Sequence, residues 1–154
     1  NRVYGCMPSR LGDASFVSGE TRTGLIGEHI ACAAILLLPG IKGCAMAQQD
    51  KVDLCAWDEL GFITIQVKSG HLRQEYDRQP TYHFNYGSGL KKKKPVRGDY
   101  DIMATVAIEK RRVLFTALPE LTAVSKRINP KRFDDPDVEV QSWQHAIRVM
   151  RGET

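Results

Sequence analysis

The sequence predicts an α/β fold, a mixed sheet flanked by helices. Three observations lead there. Leu25, Ile26, Ile30, Ala33, Ala34, Leu37 and Leu38 recur at helical spacing early in the chain. Short segments of strand character, several alternating apolar and polar residues with period two, fill the middle. Trp143, Ile147 and Met150 form a second helical stripe near the end. Helix, then strands, then helix is the order of a sheet covered by helices.

The elements can be placed in order. Residues 1–20 are rich in Gly, Ser and Arg and read as an irregular arm. The first helix starts near Thr21 or Thr23, either able to cap it, and Pro39-Gly40 stops it. Its apolar positions predict a mostly buried helix, with Glu28 in the first or second turn. Lys42–Gln48, Val52–Trp57 and Phe62–Ser69 read as strands. Asp58-Glu59-Leu60-Gly61 is a turn that makes the last two a hairpin. Tyr82–Tyr86 is an aromatic strand, and residues 87–99, rich in Gly, Lys and Pro, are a loop. Ile102–Ile108 and Val113–Ala117 flank a basic turn. Pro119–Arg127 is expected to be helical, 129–137 a loop, and Ser142–Met150 the last helix. This divides a single domain, 1–154, into an arm (1–20), a core (21–118) and a helical extension (119–154).

Composition narrows the class. Of 154 residues, 42% are hydrophobic and 26% charged, which suits one globular domain and argues against a disordered chain. The apolar run Ile30–Pro39 is too short for a membrane span, which needs roughly 20 residues. No start resembles a signal peptide. Cys6, Cys32, Cys44 and Cys55 make no CxxC pair, so neither a zinc site nor a thiol redox motif is indicated. Cys32, Cys44 and Cys55 sit in apolar stretches and read as small core residues of a reduced, intracellular protein, expected in the cytoplasm.

The net charge is +4. Three basic blocks carry much of it: Lys91, Lys92, Lys93 and Lys94 with Arg97; Lys110-Arg111-Arg112; and Lys126-Arg127 with Lys131-Arg132. Solvated surface is the plain alternative for each, but three such blocks favour contact with phosphates.

Chemistry concentrates in Ile63-Thr64-Ile65-Gln66-Val67-Lys68-Ser69. Alternation turns Ile63, Ile65 and Val67 to one face and Thr64, Gln66 and Lys68 to the other. Across the hairpin, Asp53 falls on the face of Gln66 and Lys68. Asp53 followed by Gln66-Val67-Lys68 resembles the signature of the PD-(D/E)xK nuclease superfamily, with Gln in place of the acidic residue. Gly27-Glu28 resembles the acidic position of that family's first helix. The Ile65–Ser69 stretch, with Gly98–Ala104 and Val113-Leu114-Phe115 downstream, is similar to the branch that includes intron-encoded homing endonucleases. The likeness runs from Thr23 to Leu118. Val52 stands where the family's Pro would be, and Gln66 replaces a carboxylate, which bears on how many ions the site holds.

The resemblance implies a restriction-endonuclease-like core and a metal-dependent DNA endonuclease. Hydrolysis of a phosphodiester needs a divalent ion to polarise the phosphate and acidify a water. Mg²⁺, with Mn²⁺ as substitute, takes oxygen ligands. Asp53, the Gln66 amide oxygen, the Val67 carbonyl and Glu28 would supply them. Lys68 would hold the attacking water or offset charge in the transition state. Lys91–Lys94, Arg97, Ser69 and His83 are the expected DNA contacts. Cutting both strands takes two sites, so a homodimer or homotetramer on double-stranded DNA is expected. A Holliday-junction resolvase, or a DNA-binding protein without catalysis, are the competing functions on the same fold.

Overall fold

A computed structural model describes residues 19–87 and 91–153, apart from the side chains of Glu20 and Gln48. The order is α1 (Gly19–Leu36), β1 (Gly43–Gln49), β2 (Val52–Asp58), β3 (Gly61–Gly70), β4 (Leu72–Arg73), β5 (Thr81–Asn85), β6 (Ile102–Ala107), β7 (Arg112–Ala117), β8 (Ser125–Ile128) and α2 (Val138–Met150). Five strands form one sheet in the order β1-β2-β3-β6-β7, and three form a smaller sheet, β4-β5-β8. Among the described residues only the β3–β6 pair is parallel. The expected α/β class is therefore the observed one.

Alternation sorts the large sheet into two cores. Ile63, Ile65, Val67, Ile102, Ala104 and Phe115 point toward the helices, where Ala31 and Ile35 of α1 and Trp143 and Ala146 of α2 meet them. Met103 and Leu114 point the other way, toward Tyr82 and Phe84 of the small sheet and Phe133. The molecule thus has three layers, and its catalytic candidates lie where the layers meet. Phe115 and Trp143 contact edge to face with centroids 5.0 Å apart, which fixes α2 against β7.

The hairpin forms as its sequence suggests. Asp58 Oδ1 accepts from the Leu60 N–H at 2.8 Å, and Gly61 takes a φ of 133° that a side chain would resist. Arg151, just past α2, pairs with Asp58 at 2.6 Å and ties the chain end to this turn.

Several expectations need correction. The first helix begins by Gly19, so Thr21 and Thr23 lie inside it, and Glu28 falls in the third turn. Its burial is one-sided: Leu25, Ile26 and Leu36 are about half exposed and Leu37 is 86% exposed. Pro119–Arg127 is not a helix. A short 3-10 turn at Leu118–Glu120 leads to β8, whose Ile128 enters the core opposite Tyr82. Tertiary pairing overrides the helical composition there, so the last segment is a strand and one helix, Val138–Met150, longer than its apolar stripe implied. Cys32, Cys44 and Cys55 are partly buried rather than core. Burial first, then Cys32, pushes the Cys44 thiol up to about 12. The arm 1–18 and residues 88–90 of the loop lie outside the described residues.

Candidate active site and nucleic-acid groove

β3 has two different halves. Its first half pairs with β2 from Asp58–Gly61 to Leu54–Ile65. The next pair in that register would be Asp53 with Gln66, and there the ladder stops. β3 runs on beside β6 alone, from Ile65–Ile102 to Gly70–Ala107. The edge of β3 facing β2 thereby loses its backbone partner, and a buried N–H without an acceptor is costly. The Asp53 carboxylate fills the gap: Oδ2 accepts from the Val67 N–H at 2.7 Å and from Gln66 Nε2 at 2.6 Å. Both bonds fall on one oxygen, which leaves Oδ1 for another partner.

Glu28 approaches from α1. Burial, and after it the negative charge of Asp53, lifts the Glu28 carboxyl above its ordinary value, against the pull of His29. That mutual repulsion places Glu28 and Asp53 in one electrostatic site. Among the described residues no three His, Cys, Asp or Glu side chains converge. A cation here would meet two carboxylates and neutral oxygens. That is a donor set for a hard ion such as Mg²⁺ rather than for zinc.

Lys68 sits where two spaces meet. On one side is a cavity of about 20 Å³, the scale of a single water, lined by Lys51, Gln66, Lys68, Tyr86, Pro95, Asp99 and Tyr100. The Tyr100 hydroxyl is buried without a hydrogen-bond partner, and burial raises its phenol. Burial likewise pushes Tyr86 up to about 12. Lys51 binds Asp99 at 3.1 Å, and the Val96 N–H reaches the other Asp99 oxygen at 3.0 Å. The Val96 N–H, and then Lys51, hold the Asp99 carboxyl below its ordinary value. This pair pins the end of the lysine-rich loop over Gln66 and Lys68.

On the other side of Lys68 is a groove of about 640 Å³ between α1 and the free end of β3. Gly24, Lys68, Ser69, His71, Arg73 and His83 line it with their neighbours. α1 comes close because Gly27 has no side chain. A Cβ there would lie 1.6 Å from Ser69 Oγ. Ser69 therefore lines the groove, yet turns its hydroxyl under the helix, buried and without a partner.

The structure brings Glu28, Asp53, Gln66, Val67 and Lys68 together, with Ser69 and His83 beside them. Lys91, Lys92, Lys93, Lys94 and Arg97 are all exposed on the neighbouring loop. Three of the seven basic residues in the other two blocks are held in ion pairs. Lys110 pairs with Asp134 at 2.6 Å, Arg112 reaches Glu139 at 4.0 Å, and Arg127 pairs with Glu75 at 2.9 Å. Those three side chains tie the C-terminal segments to the rest of the fold. Asp101 is structural as well: its Oδ2 accepts from the Thr64 N–H and hydroxyl, which clamps the start of β6 to β3. Sequence reasoning missed Lys51, Tyr86, Asp99 and Tyr100 around Lys68, and His71 and Arg73 along the groove, with Glu109 behind His71. A lone His three residues past Lys68 carried no motif.

No family model matches the sequence, and no curated protein matches it. A solved structure that does match is that of a bacterial homing endonuclease, I-Ssp6803I. The TM-score is 0.62 at 18% identity, over 89% of this chain and 100% of that one. At that identity the likeness is one of fold. Among the described residues no helix is long and apolar enough to cross a membrane.

Proposed function

We propose that the chain is a metal-dependent DNA endonuclease of PD-(D/E)xK type, site-specific like a homing endonuclease. One observation carries this reading. Where the β2–β3 ladder breaks, Asp53 binds Gln66 and the Val67 N–H, Lys68 beside them lines both the small cavity and the groove, and Glu28 is close enough to feel Asp53. The shared fold with a homing endonuclease supports it.

Each residue then has a part. Asp53 and Glu28, with the Gln66 amide oxygen and the Val67 carbonyl, would hold Mg²⁺ or Mn²⁺. Bound there, the ion would polarise the phosphate and lower the pKa of a coordinated water. Asp53 already fixes the backbone of Val67, so the site's geometry is set before substrate arrives. Lys68 has no ion-pair partner among the described residues, which leaves its ammonium for the phosphate or the attacking water. Gln66 adds no charge, so a single ion suits this site better than two. Lys91–Lys94 and Arg97 would follow the duplex backbone beside it. Two copies of the site are needed to cut both strands, so a homodimer or homotetramer is part of the proposal; the half-exposed Leu25, Ile26 and Leu36 on the outer face of α1 suit a contact between copies.

The test is cleavage of mixed plasmid and four-way-junction DNA with Mg²⁺, wild type against Lys68→Ala. Cutting by the wild type alone supports the assignment. Preference for the junction would make the chain a resolvase. DNA binding that is indifferent to metal and to Lys68, with no cutting even of targets selected from a random pool, would leave a DNA-binding protein without catalysis.

A further inference from the structure

Beyond Lys68 the groove contains a relay that the proposed chemistry leaves unused. His71 stands just past the end of β3. Its Nδ1 lies 3.0 Å from Glu109 Oε1, and its Nε2 lies 3.1 Å from Thr23 Oγ1 of α1. The same Glu109 oxygen accepts from the Leu72 N–H at 3.0 Å, and its other oxygen accepts from the Tyr82 hydroxyl at 3.2 Å. Burial and then the Glu109 charge push that phenol up to about 12, so it remains a donor. Three donors thus hold one carboxylate, and that carboxylate orients one imidazole. A carboxylate on Nδ1 places the ring's proton there and turns Nε2 toward Thr23 and the groove.

The surroundings are basic. Lys68, Arg73 and His83 line the groove with His71, and Glu109 spends its charge on His71, Leu72 and Tyr82. Arg73 has no ion-pair partner among the described residues. Gly19, Thr23 and Gly24 bring α1 to the same wall. No side chain blocks the space at Gly24, where an added Cβ would meet nothing within 4 Å.

We infer that this groove is a second phosphate subsite, which takes the sugar–phosphate backbone of one DNA strand alongside the scissile phosphate. Arg73 supplies the charge. A phosphate only accepts hydrogen bonds, so in the complex His71 is doubly protonated, with Nδ1–H held by Glu109 and Nε2–H given to the phosphate, which frees the Thr23 hydroxyl to donate as well. At about 3.3 Å per residue, His71 stands about 10 Å beyond Lys68. With about 3.4 Å of axial rise per nucleotide, that is within about three nucleotides of the cut. The inference rests on the nuclease reading for where the cut lies; the subsite itself needs only that the chain binds DNA.

The experiment therefore measures binding without cleavage. The Asp53→Asn chain is titrated with a mixed-sequence DNA duplex over a range of salt. Arg73→Gln, His71→Gln, Glu109→Gln and the Glu109→Gln/His71→Gln pair are added in that background. Lys42→Gln serves as control, since Lys42 pairs with Glu59 near the hairpin turn. Thermal unfolding confirms that each variant is folded. Arg73→Gln should lower the slope of log K against log salt by about 0.9, the value of one neutralised phosphate. His71→Gln and Glu109→Gln should each weaken binding severalfold, and the pair no more than His71→Gln alone, because Glu109 acts through the ring. Lys42→Gln should change nothing. Additive losses would overturn the relay. Unchanged slope and affinity in folded variants, with the Asp53→Asn chain still binding, would overturn the subsite and leave the nuclease reading standing. No binding by the Asp53→Asn chain at any salt would overturn both.

Discussion

The two halves of β3 are built from the same alternating pattern and do different work. From Gly61 to Ile65 the strand is paired with β2, and its polar face is spent on structure: Thr64 binds Asp101. From Gln66 to Gly70 the β2 side is open, and the polar residues face a cavity and a groove. A broken ladder costs a backbone hydrogen bond, and a carboxylate in the gap both satisfies that N–H and stands charged at the sheet edge. The candidate site is thus a consequence of where pairing ends.

Substitution at the two halves should separate activity from stability. Asp53→Asn should reduce cleavage by on the order of 10³-fold, the scale for removing a group that stabilises charge in the transition state. Asp101→Ala should leave the groove's charges in place and instead cost about 1–3 kcal/mol, because the Thr64 N–H and hydroxyl lose their acceptor. Cleavage rates and denaturant melts of the two variants decide the matter. If Asp53→Asn still cuts and Asp101→Ala does not, the site belongs to the paired half.

A gentler break targets the helix that walls the open half. Gly27→Ala would drive a methyl into Ser69 Oγ, so α1 must lift or Ser69 must move. Overpacking of this kind costs about 1–3 kcal/mol. Adding Ser69→Gly should restore most of that loss, since the hydroxyl removed has no hydrogen bond to lose. Failure of the second change to rescue the melting temperature would mean that Gly27 matters for backbone freedom and not for close approach.

The basic blocks extend the comparison to the surface. Neutralising Lys91–Lys94 should flatten the salt dependence of DNA binding, by up to about 0.9 for each phosphate that no longer meets an ammonium. Neutralising Lys110 and Arg127, both held in ion pairs, should leave the slope nearly unchanged. Equal slopes for the two sets would demote the loop to plain surface.

That contrast also shows what the sequence could carry. Alternation along β3 and the Asp58–Gly61 turn are local, and together they place Asp53 opposite Gln66 before any tertiary contact is known. The fold class, and the approach of Asp53 to Gln66, were legible for that reason. The partners of the basic blocks were not, because Asp134, Glu139 and Glu75 are remote in the chain and nothing local announces the pairing. β8 was hidden for a related reason: three of its four residues are exposed, so no period marks it, and only pairing with β5 makes it a strand. The His71 relay joins residues 48 and 38 positions apart, which leaves no trace in any one window.

The smallest expected effect concerns Glu28 at the wall of the open half. Its folded pKa is raised, by burial first and Asp53 second. A carboxyl raised in the folded state costs stability when ionised. The cost is complete above the folded pKa and vanishes below the unfolded value of 4.5. In metal-free buffer near neutral pH, Glu28→Gln should therefore melt slightly higher than the wild type, by less than about 1 kcal/mol once solvent screening is allowed for. The gain should disappear as the pH falls through the folded pKa. Added Mg²⁺ should reverse the order, because the proposed ion would be held by the carboxylate that the variant lacks. Melting curves at two pH values, with chelator and with Mg²⁺, separate these cases. A variant that is less stable in chelator would show that Glu28 is a structural acceptor in the folded protein, and the open half of β3 would then have only one carboxylate to offer a metal.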